Sequence, residues 1–348
     1  MTLQVFDSEV TQTRGAMLKT IIRVFINTAI GVVLIYFWLK LVNIEEVLRA
    51  LESFNPLLLI PATACIAIAS VLKAIRFKIL LLKAVDVPVV RIINLTFLSQ
   101  LLSFTIPIRL GEVAKGVYLS TDYGLHFGKA VVWVFLDRFL DFWAVLGLAL
   151  LLLLIVPTNL PQSMAMTLFA GVTIASMLVV LVVLKPGFFK KLLSYLSHLM
   201  LLKPLKEKFL ALGFFMIDCF SLLSGSPKRN LGILALTVLA TFLEGYSWYI
   251  VLSAFIPDLS VLKIWLGSML NALTFLIPAA PGYVGSAEAA GLAVFSFGLG
   301  LNGVLVSAAT VITHAISLIF ILSSGIIGLY ALKFNLGLVW KKILTKKN

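Results

Sequence analysis

Charged residues and cysteines are scarce in this chain, and each shortage argues against a class of protein. Of its 348 residues only 12% are charged, and 61% are hydrophobic. A soluble domain has about 25% charged and about 45–50% apolar residues. The composition therefore indicates an integral membrane protein with little mass outside the bilayer. Cys65 and Cys219 both lie in apolar stretches, which favours neither a disulfide framework nor a metal site.

Enzyme motifs are also missing. The sequence contains no HExxH, P-loop, nucleophile elbow or zinc-ligand spacing, each of which is recognisable from its pattern. We therefore predict no catalytic residue, no cofactor and no metal, and we expect that the protein is not an enzyme. The net charge of +13 does not indicate nucleic acid as a partner, because Lys and Arg cluster in loops beside apolar runs, as membrane topology requires.

The apolar runs predict an all-α polytopic membrane protein. Two of them, residues 91–106 and 261–277, are shorter than the roughly 20 residues that a crossing needs. The second full span ends in a basic group that begins at Lys73 and Arg76. About six full spans are predicted: 24–39, 56–82, 131–156, 164–184, 231–256 and 304–332.

The two short runs form an internal repeat. Each stops at an Ile-Pro pair and reaches a glycine four residues after the proline. Pro107 and Pro278 are 171 residues apart, and so are Gly111 and Gly282. Agreement at residues with such strong backbone preferences indicates duplication. Each copy is predicted to contain a full span, a helix–break–helix pair and another full span.

Positive charge predicts the orientation. Both termini, the 73–91 loop and the basic stretch 185–229 should face the cytoplasm. Each broken pair must then enter and leave on its own side, the first from the cytoplasm and the second from outside, so that the copies are inverted. The alternative is that each broken pair is two short tilted helices that cross the membrane fully.

The predicted units are the N-terminal arm 1–20, the first span and outer loop 21–55, repeat 1 at 56–156 with a re-entrant pair 91–120, a span and basic segment 157–230, repeat 2 at 231–332 with a re-entrant pair 261–298, and a basic tail 333–348.

The basic stretch and the first break face the cytoplasm in this topology. Lysines interleaved with Phe, Leu and Met over residues 185–229 predict amphipathic helices at the membrane surface, with an ordinary linker loop as the alternative. After the first break, Gly111 is predicted to permit a tight turn. Arg109, Glu112 and Lys115 beside a helix N-terminus suit a phosphodiester. The alternative is a solvated loop with local ion pairs.

Charged residues within the spans are further candidates. Charges in a span are costly and mark functional sites by default. Arg138 and Asp141 are spaced to pair on one helix, with Asp137 beside them, and a structural pair is the alternative role. Glu244 is an isolated carboxylate that the repeat offset aligns with Lys73. We expect it to pair with Lys73 or Arg138, and proton coupling through it is a second possibility.

The second break carries fewer charges. Pro281, Gly282 and Gly285 interrupt the helix, and Ser286 is predicted as its new N-cap. Glu288 would then lie in the first turn, where a carboxylate suits the helix dipole, and this structural role competes with substrate contact. His314, in the last span, is predicted to be a packed or hydrogen-bonded residue, with ligand contact as the alternative.

These segments resemble the lysylphosphatidylglycerol synthase transmembrane-region family, also called the flippase-like domain family. Its marks are a Pro-x-Arg-x-Gly-Glu segment, an acidic-Arg pair and a Pro-Gly-x-x-Gly-x-x-Glu segment. Here they are Pro107–Glu112, Asp137-Arg138 and Pro281–Glu288. The chain departs from the commoner pattern at Asp137, at Tyr283, where glycine is frequent, and at Ala287, where a basic residue is frequent. The last departure leaves the headgroup preference open.

The resemblance implies movement of a phospholipid or polyprenyl-phosphate-linked lipid between leaflets of the cell membrane. Bifunctional relatives carry a separate soluble lysyltransferase domain, which this chain is expected to lack. The expected partners are lipids with an anionic headgroup or a linked phosphate, with a second copy or an envelope-biosynthesis enzyme as protein partner. Two other functions stay open: a membrane-embedded transferase that acts on a lipid-linked sugar, and a non-catalytic partner of an envelope-lipid enzyme.

Overall fold

The computed structural model describes residues 25–106, 110–158, 162–198, 203–224, 226–275 and 280–337. Within these ranges the regular structure is helical and includes no strand, which confirms the all-α class. The predicted arm 1–20 and residues 338–348 of the predicted tail lie outside them. The helices are α1 (Phe25–Leu41), α2 (Ile44–Glu52), α3 (Leu59–Leu81), α4 (Val89–Thr105), α5 (Leu110–Tyr123), α6 (Phe127–Leu153), α7 (Gln162–Leu184), α8 (Pro186–Ser197), α9 (Lys203–Ser221), α10 (Pro227–Ser253), α11 (Val261–Thr274), α12 (Ser286–Gly291) and α13 (Gly303–Ala331).

Polar caps and prolines mark where several helices begin. Asn43 accepts a hydrogen bond from a backbone N–H of the first turn of α2 at 3.1 Å, and Asn302 does the same for α13 at 3.0 Å. Pro186 and Pro227 occupy the first positions of α8 and α10, where no intrahelical N–H bond is lost. Between such starts and their ends, α10 and α13 run for 27 and 29 residues, which is more than a bilayer crossing requires.

Three segments in the described part of the chain are long and apolar enough to cross a membrane. They are Pro56–Leu81, which contains α3, together with α10 and α13. Two bent pairs raise the number to five if each is one span: α1 and α2 meet at 86°, and α7 and α8 at 110°. α6 is also 27 residues long but contains Asp137, Arg138 and Asp141. The chain is therefore a polytopic helical membrane protein, and the count of six spans stays a prediction.

The order of helices recurs at the offset of 171 residues. α10 starts at Pro227, and the matching segment of the first copy starts at Pro56; α11, α12 and α13 then follow where α4, α5 and α6 follow in the first copy. α3 packs along α10, α4 packs on α13, and α11 packs on α6. Each short helix therefore contacts the last long helix of the other copy, and the two halves are interlocked. Their inverted orientation stays a prediction.

Both predicted breaks interrupt the helices. α4 ends at Thr105, and residues 107–109 lie outside the described ranges. α11 ends at Thr274, three residues before its predicted end. The helix resumes at Ser286 as predicted, but only α12 is α-helical, because Leu292–Gly298 forms a π-helix. π-Helical turns are rare in proteins, and many of those that occur lie at functional sites.

The basic stretch forms two helices, α8 and α9, that pack on each other. Lys190 Nζ lies 2.6 Å from Asp218 Oδ1 across this pair. Phe188 and Tyr195 on α8 are exposed. Exposed aromatic rings on a basic helix that leaves a span at a steep angle fit a helix lying along a membrane surface, a location that stays a prediction.

The end of α9 is tied to both copies of the repeat. Lys83, just after α3, donates from Nζ to the carbonyl oxygen of Ser224 at 2.9 Å. Arg229, at the start of α10, donates from Nη2 to the carbonyl oxygen of Leu222 at 2.8 Å. Burial, followed by the nearby positive charge of Arg229, lowers the pKa of Lys83. Two cations thus satisfy carbonyl groups that the helix leaves unpaired.

Candidate functional site

Ionisable side chains of α3, α5 and α6 meet in the interior and form what we call the ion cluster. Three cations and three carboxylates take part, so the formal charges cancel when all six are ionised. Such balance is what the low-dielectric interior of a membrane protein requires. The members are Arg76, Glu112, Lys115, Asp137, Arg138 and Asp141.

Arg76 is the centre of the ion cluster, and its side chain is fully buried. Its Nη2 lies 2.6 Å from Asp137 Oδ1, and its Nη1 lies 2.5 Å from Asp141 Oδ1. Nη1 also donates to Thr237 Oγ1 of α10 at 3.2 Å. The predicted cytoplasmic loop 73–91 is therefore wrong at its start, because α3 continues to Leu81 and holds Arg76 between α6 and α10.

Lys115 is also fully buried. Its Nζ lies 3.4 Å from Asp137 Oδ2 and 4.7 Å from the centre of the Phe77 ring. The aromatic face adds a cation–π contact to the ion pair. Lys115 therefore contacts Asp137 from the protein interior and stabilises that carboxylate.

Arg138 is the most exposed cation of the ion cluster, with 37% of its side chain accessible. Its guanidinium lies 2.9 Å from Glu112 Oε1, 3.6 Å from Asp137 Oδ2 and 3.4 Å from Asp141 Oδ2. The predicted pairing with Asp141 is thus present. Yet Arg138 Nε, Glu112 Oε2 and Asp141 Oδ2 are buried without an aligned hydrogen-bond partner in the described residues. The cluster therefore has unused donor and acceptor capacity beside Arg138.

Gly111 brings α5 close to α4. A β-carbon at this position would overlap the carbonyl oxygen of Ser99 and the hydroxyl of Ser103. Gly111 lies inside α5, whose first residue is Leu110, so the prediction of a tight turn at this glycine is corrected. Its small size is what the position requires, since the close helix contact sets where Glu112 and Lys115 emerge.

Lys73 and Glu244 join the two copies. Lys73 Nζ lies 2.6 Å from Glu244 Oε1, with 17% and 42% of the two side chains exposed. The residues are 171 positions apart, so positions that the repeat offset aligns contact each other. Of the two partners expected for Glu244, the structure shows Lys73.

The second break is a turn stabilised by α13. Pro281–Tyr283 forms one 3₁₀ turn, and Gly282 and Gly285 have φ of 69° and 80°, values that favour glycine. Gly285 is the N-cap of α12, and Glu288 Oε2 accepts from its N–H at 2.8 Å. The cap is thus one residue earlier than predicted. Tyr283 also has a positive φ of 57°.

The two breaks are close to each other. The Phe104 ring at the end of α4 lies 5.7 Å from the Tyr283 ring and 6.3 Å from that of His314. His314 in turn contacts Glu288 and the carbonyl oxygen of Gly282. The entry to the first break therefore packs on the second. The hydrogen bonds of the Glu288 carboxylate within the described ranges go to Gly285 N–H and His314, not to the ion cluster.

Two features of the site were not predicted from the sequence. Arg76 lies near the end of the predicted span 56–82, but its burial and its contacts with Asp137 and Asp141 were not foreseen, although its spacing of three from Lys73 puts both on one face of a helix. His314 was expected to be packed or hydrogen-bonded, which the contacts confirm, but its carboxylate partner was not foreseen. Arg109 lies outside the described residues. Among those described, no three His, Cys, Asp or Glu residues are grouped to hold a metal ion.

Comparison with known proteins gives one match. A family model described as the lysylphosphatidylglycerol synthase TM region matches residues 24–325, which covers the ion cluster, both breaks and His314. No curated protein and no solved structure matches the chain.

Proposed function

The chain belongs to the lysylphosphatidylglycerol synthase TM region family, and we propose that it moves a phospholipid or polyprenyl-phosphate-linked lipid between leaflets, as a flippase or scramblase. A charged headgroup crosses hydrocarbon only at high cost. A protein that offers polar partners within the membrane removes most of that cost while the acyl tails remain in lipid. No ATP-binding motif is present in the sequence, so we propose that the lipid moves down its own gradient or that an ion gradient drives its movement.

The observation that carries the proposal is the partly exposed guanidinium of Arg138 in an otherwise buried ion cluster. This guanidinium can contact a phosphate. Glu112 Oε2 and Asp141 Oδ2 are buried and would accept from an amine or a sugar hydroxyl only after the ion cluster opens to the headgroup. Arg109 is proposed as the second phosphate ligand. Lys115 acts through Asp137, which it holds in place.

The breaks supply the proposed pathway. Non-helical backbone at membrane depth is tolerated where protein or a water-filled cavity satisfies it, and transporters with inverted repeats bind substrate at such discontinuous helices. The contact of Phe104 with Tyr283 supports two re-entrant pairs that meet near the bilayer centre. We propose a cell-membrane location with both termini in the cytoplasm.

Reconstitution tests the proposal. Liposomes containing the protein should exchange fluorescent phospholipid or prenyl-phosphate lipid between leaflets faster than empty liposomes. Arg138→Gln should slow exchange strongly, and Arg49→Gln, an exposed arginine of α2, is the matched control. No exchange above empty liposomes for either lipid class would refute transport.

The asymmetry of charge gives a second test. The first break carries Arg109, whereas the second carries only Glu288. An anionic headgroup should therefore bind more tightly at the cytoplasmic break. Arg109→Gln should weaken binding of anionic lipid more than Glu288→Gln, measured by lipid titration in micelles, and equal effects would contradict this assignment.

A transferase is the second candidate, and Asp137 or Glu112 is the residue that would serve as its base. In the structure the Asp137 carboxylate is buried and paired with Arg76 and Lys115, which favours a structural role. Product formed from a labelled lipid-linked sugar and lost in Asp137→Asn would support the transferase. Capture of a stoichiometric partner, with no activity in the isolated protein, would instead support the third function, that of a non-catalytic partner of an envelope-lipid enzyme.

A further inference from the structure

Glu288 and His314 form a hydrogen-bonded pair that spans the second break. His314 Nδ1 lies 2.6 Å from Glu288 Oε1, and 14% of each side chain is exposed. His314 Nε2 lies 2.8 Å from the carbonyl oxygen of Gly282. Glu288 Oε2 accepts from Gly285 N–H at 2.8 Å. The pair thus contacts the turn at two points and connects it to α13.

The geometry of this pair requires a proton. A carbonyl oxygen only accepts hydrogen bonds, so Nε2 must carry hydrogen to bond Gly282. A neutral ring then has a lone pair at Nδ1, and a carboxylate oxygen also presents lone pairs. Two such atoms 2.6 Å apart repel unless a proton lies between them, either on His314 Nδ1 or on Glu288 Oε1. The contact therefore marks one bound proton.

The proton also stabilises the backbone of the break. Gly282, Tyr283 and Gly285 all have positive φ, and for Tyr283 this conformation is unfavourable. The turn packs on α1, since a β-carbon added to Gly285 would overlap the carbonyl oxygen of Gly31. If the proton leaves, the contact between Nδ1 and Oε1 becomes repulsive, and the bond from His314 Nε2 to the carbonyl oxygen of Gly282 is left as the connection between the turn and the His314 side chain of α13.

Charged and phenolic groups also lie on the elements around the pair, some within about two helical turns of it and others farther away. Along a helix, at about 1.5 Å per residue, Lys263 is about 17 Å from the end of α11 and Arg91 about 20 Å from Phe104, whereas Lys40 is only about 8 Å from Ile35, which borders Gly285. Arg109 lies outside the described ranges. On the elements nearest the turn, the ionisable groups are Tyr36 and Lys40 of α1, Arg91 of α4, Lys263 of α11, Tyr283 of the turn and Tyr330 of α13. α13 also packs on α2, α3 and α10, whose charged residues are Glu45, Glu46, Arg49 and Glu52, then Lys73, Arg76 and Lys78, and then Lys228, Arg229 and Glu244.

We propose that the Glu288–His314 pair is a proton-binding site whose single proton holds the second break closed on α13. Opening the break separates the two side chains and releases that proton to water, leaving the electron pair on Nδ1 or Oε1. Closing takes a proton up again. Its consequence rests on the proposed lipid transport: if headgroups move through the break, their movement is coupled to protons.

A spectroscopic experiment tests the proton site without transport. The chain has three histidines, so His126→Gln with His198→Gln leaves His314 as the one ¹⁵N-histidine signal. At about pH 7.5, where an ordinary histidine is neutral, we expect Nδ1 either protonated or bonded to a carboxylic proton. In Glu288→Gln the ring should be neutral with its proton on Nε2. A neutral Nε2–H ring with a free Nδ1 in the protein that retains Glu288 would overturn the proposal.

A transport experiment tests the coupling. Lipid exchange in proteoliposomes should change at least about threefold when an imposed pH gradient is reversed, which corresponds to about 0.7 kcal/mol. Glu288→Gln keeps a hydrogen-bond acceptor for Gly285 and a donor for Nδ1 but has no proton to release, so whatever exchange it retains should not respond to the gradient. His198→Gln, at the exposed C-cap of α8, should respond as the unmodified protein does.

The outcomes separate the two proposals. Exchange that ignores the gradient in unmodified protein would overturn the coupling and leave lipid transport standing. No exchange by unmodified protein would overturn lipid transport, whereas the histidine signal would still decide the proton site. If Glu288→Gln retains the full gradient response, the pair is not the coupling site.

Discussion

Replacing Arg76 should destabilise the protein more than replacing any exposed arginine. Arg76→Met removes the cation that lies 2.6 Å from Asp137 and 2.5 Å from Asp141. Asp137 keeps Lys115 at 3.4 Å and Arg138 at 3.6 Å, whereas among the described residues Asp141 keeps its ion pair with Arg138 at 3.4 Å. Removing one partner of a buried ion pair costs about 3–5 kcal/mol, because the remaining charge is uncompensated. We expect a loss in that range.

The assay is reversible unfolding by SDS in mixed micelles, followed by tryptophan fluorescence. Arg76→Met should lower the midpoint, and Arg76→Lys should lower it less, since lysine retains the charge but cannot contact both carboxylates in the same way. Arg49→Met is the matched control. Arg49 pairs with Glu45 at 3.8 Å with 76% of its side chain exposed, and exposed pairs contribute little.

Equal midpoints for Arg76→Met and Arg49→Met would refute this reasoning. That result would mean that water or another side chain compensates the carboxylates once Arg76 is removed. A loss in Arg76→Lys as large as in Arg76→Met would show that hydrogen-bond geometry, rather than charge, determines the stability of the ion cluster.

Two further substitutions test the packing of the repeats. Gly111→Ala should destabilise the protein and reduce lipid exchange, because its β-carbon would overlap the carbonyl oxygen of Ser99. The control is Gly147→Ala, which has open space in α6 and should leave the stability unchanged or raise it by up to about 1 kcal/mol. Equal SDS midpoints for the two variants would contradict the close contact at Gly111. Lys73→Glu and Glu244→Lys should each lower the midpoint, and the double exchange should recover part of the loss, which a double-mutant cycle measures; absence of recovery would show that the pair does not couple the copies.

Much of the fold could be predicted from local properties of the sequence. Low charge and long apolar runs predict membrane helices wherever they occur, because the bilayer imposes the same requirement on each segment. Proline and glycine predict breaks because they restrict or extend the backbone locally. These signals placed the ends of α4 and α11 within a few residues, although they did not anticipate the π-helix at Leu292–Gly298.

The candidate site was predicted only in part. Arg138 and Asp141 are three residues apart on α6, so their pairing follows from helix geometry. The partner of Arg76 lies 61 residues away, and that of His314 lies 26 residues away. Pairings of this kind depend on which helix faces pack together, which periodicity within one helix does not specify.

The sequence by itself determined the class of this protein, its breaks, its family motifs and the ionisable residues that the membrane must accommodate. Only the tertiary structure decided which charges neutralise one another. It placed Arg76 and Lys115 behind Asp137, left Arg138 as the partly exposed cation, and brought His314 to Glu288. The physical reason is that composition and backbone preference act over a few residues, whereas the compensation of a buried charge depends on helices distant in the chain that pack within a few ångströms.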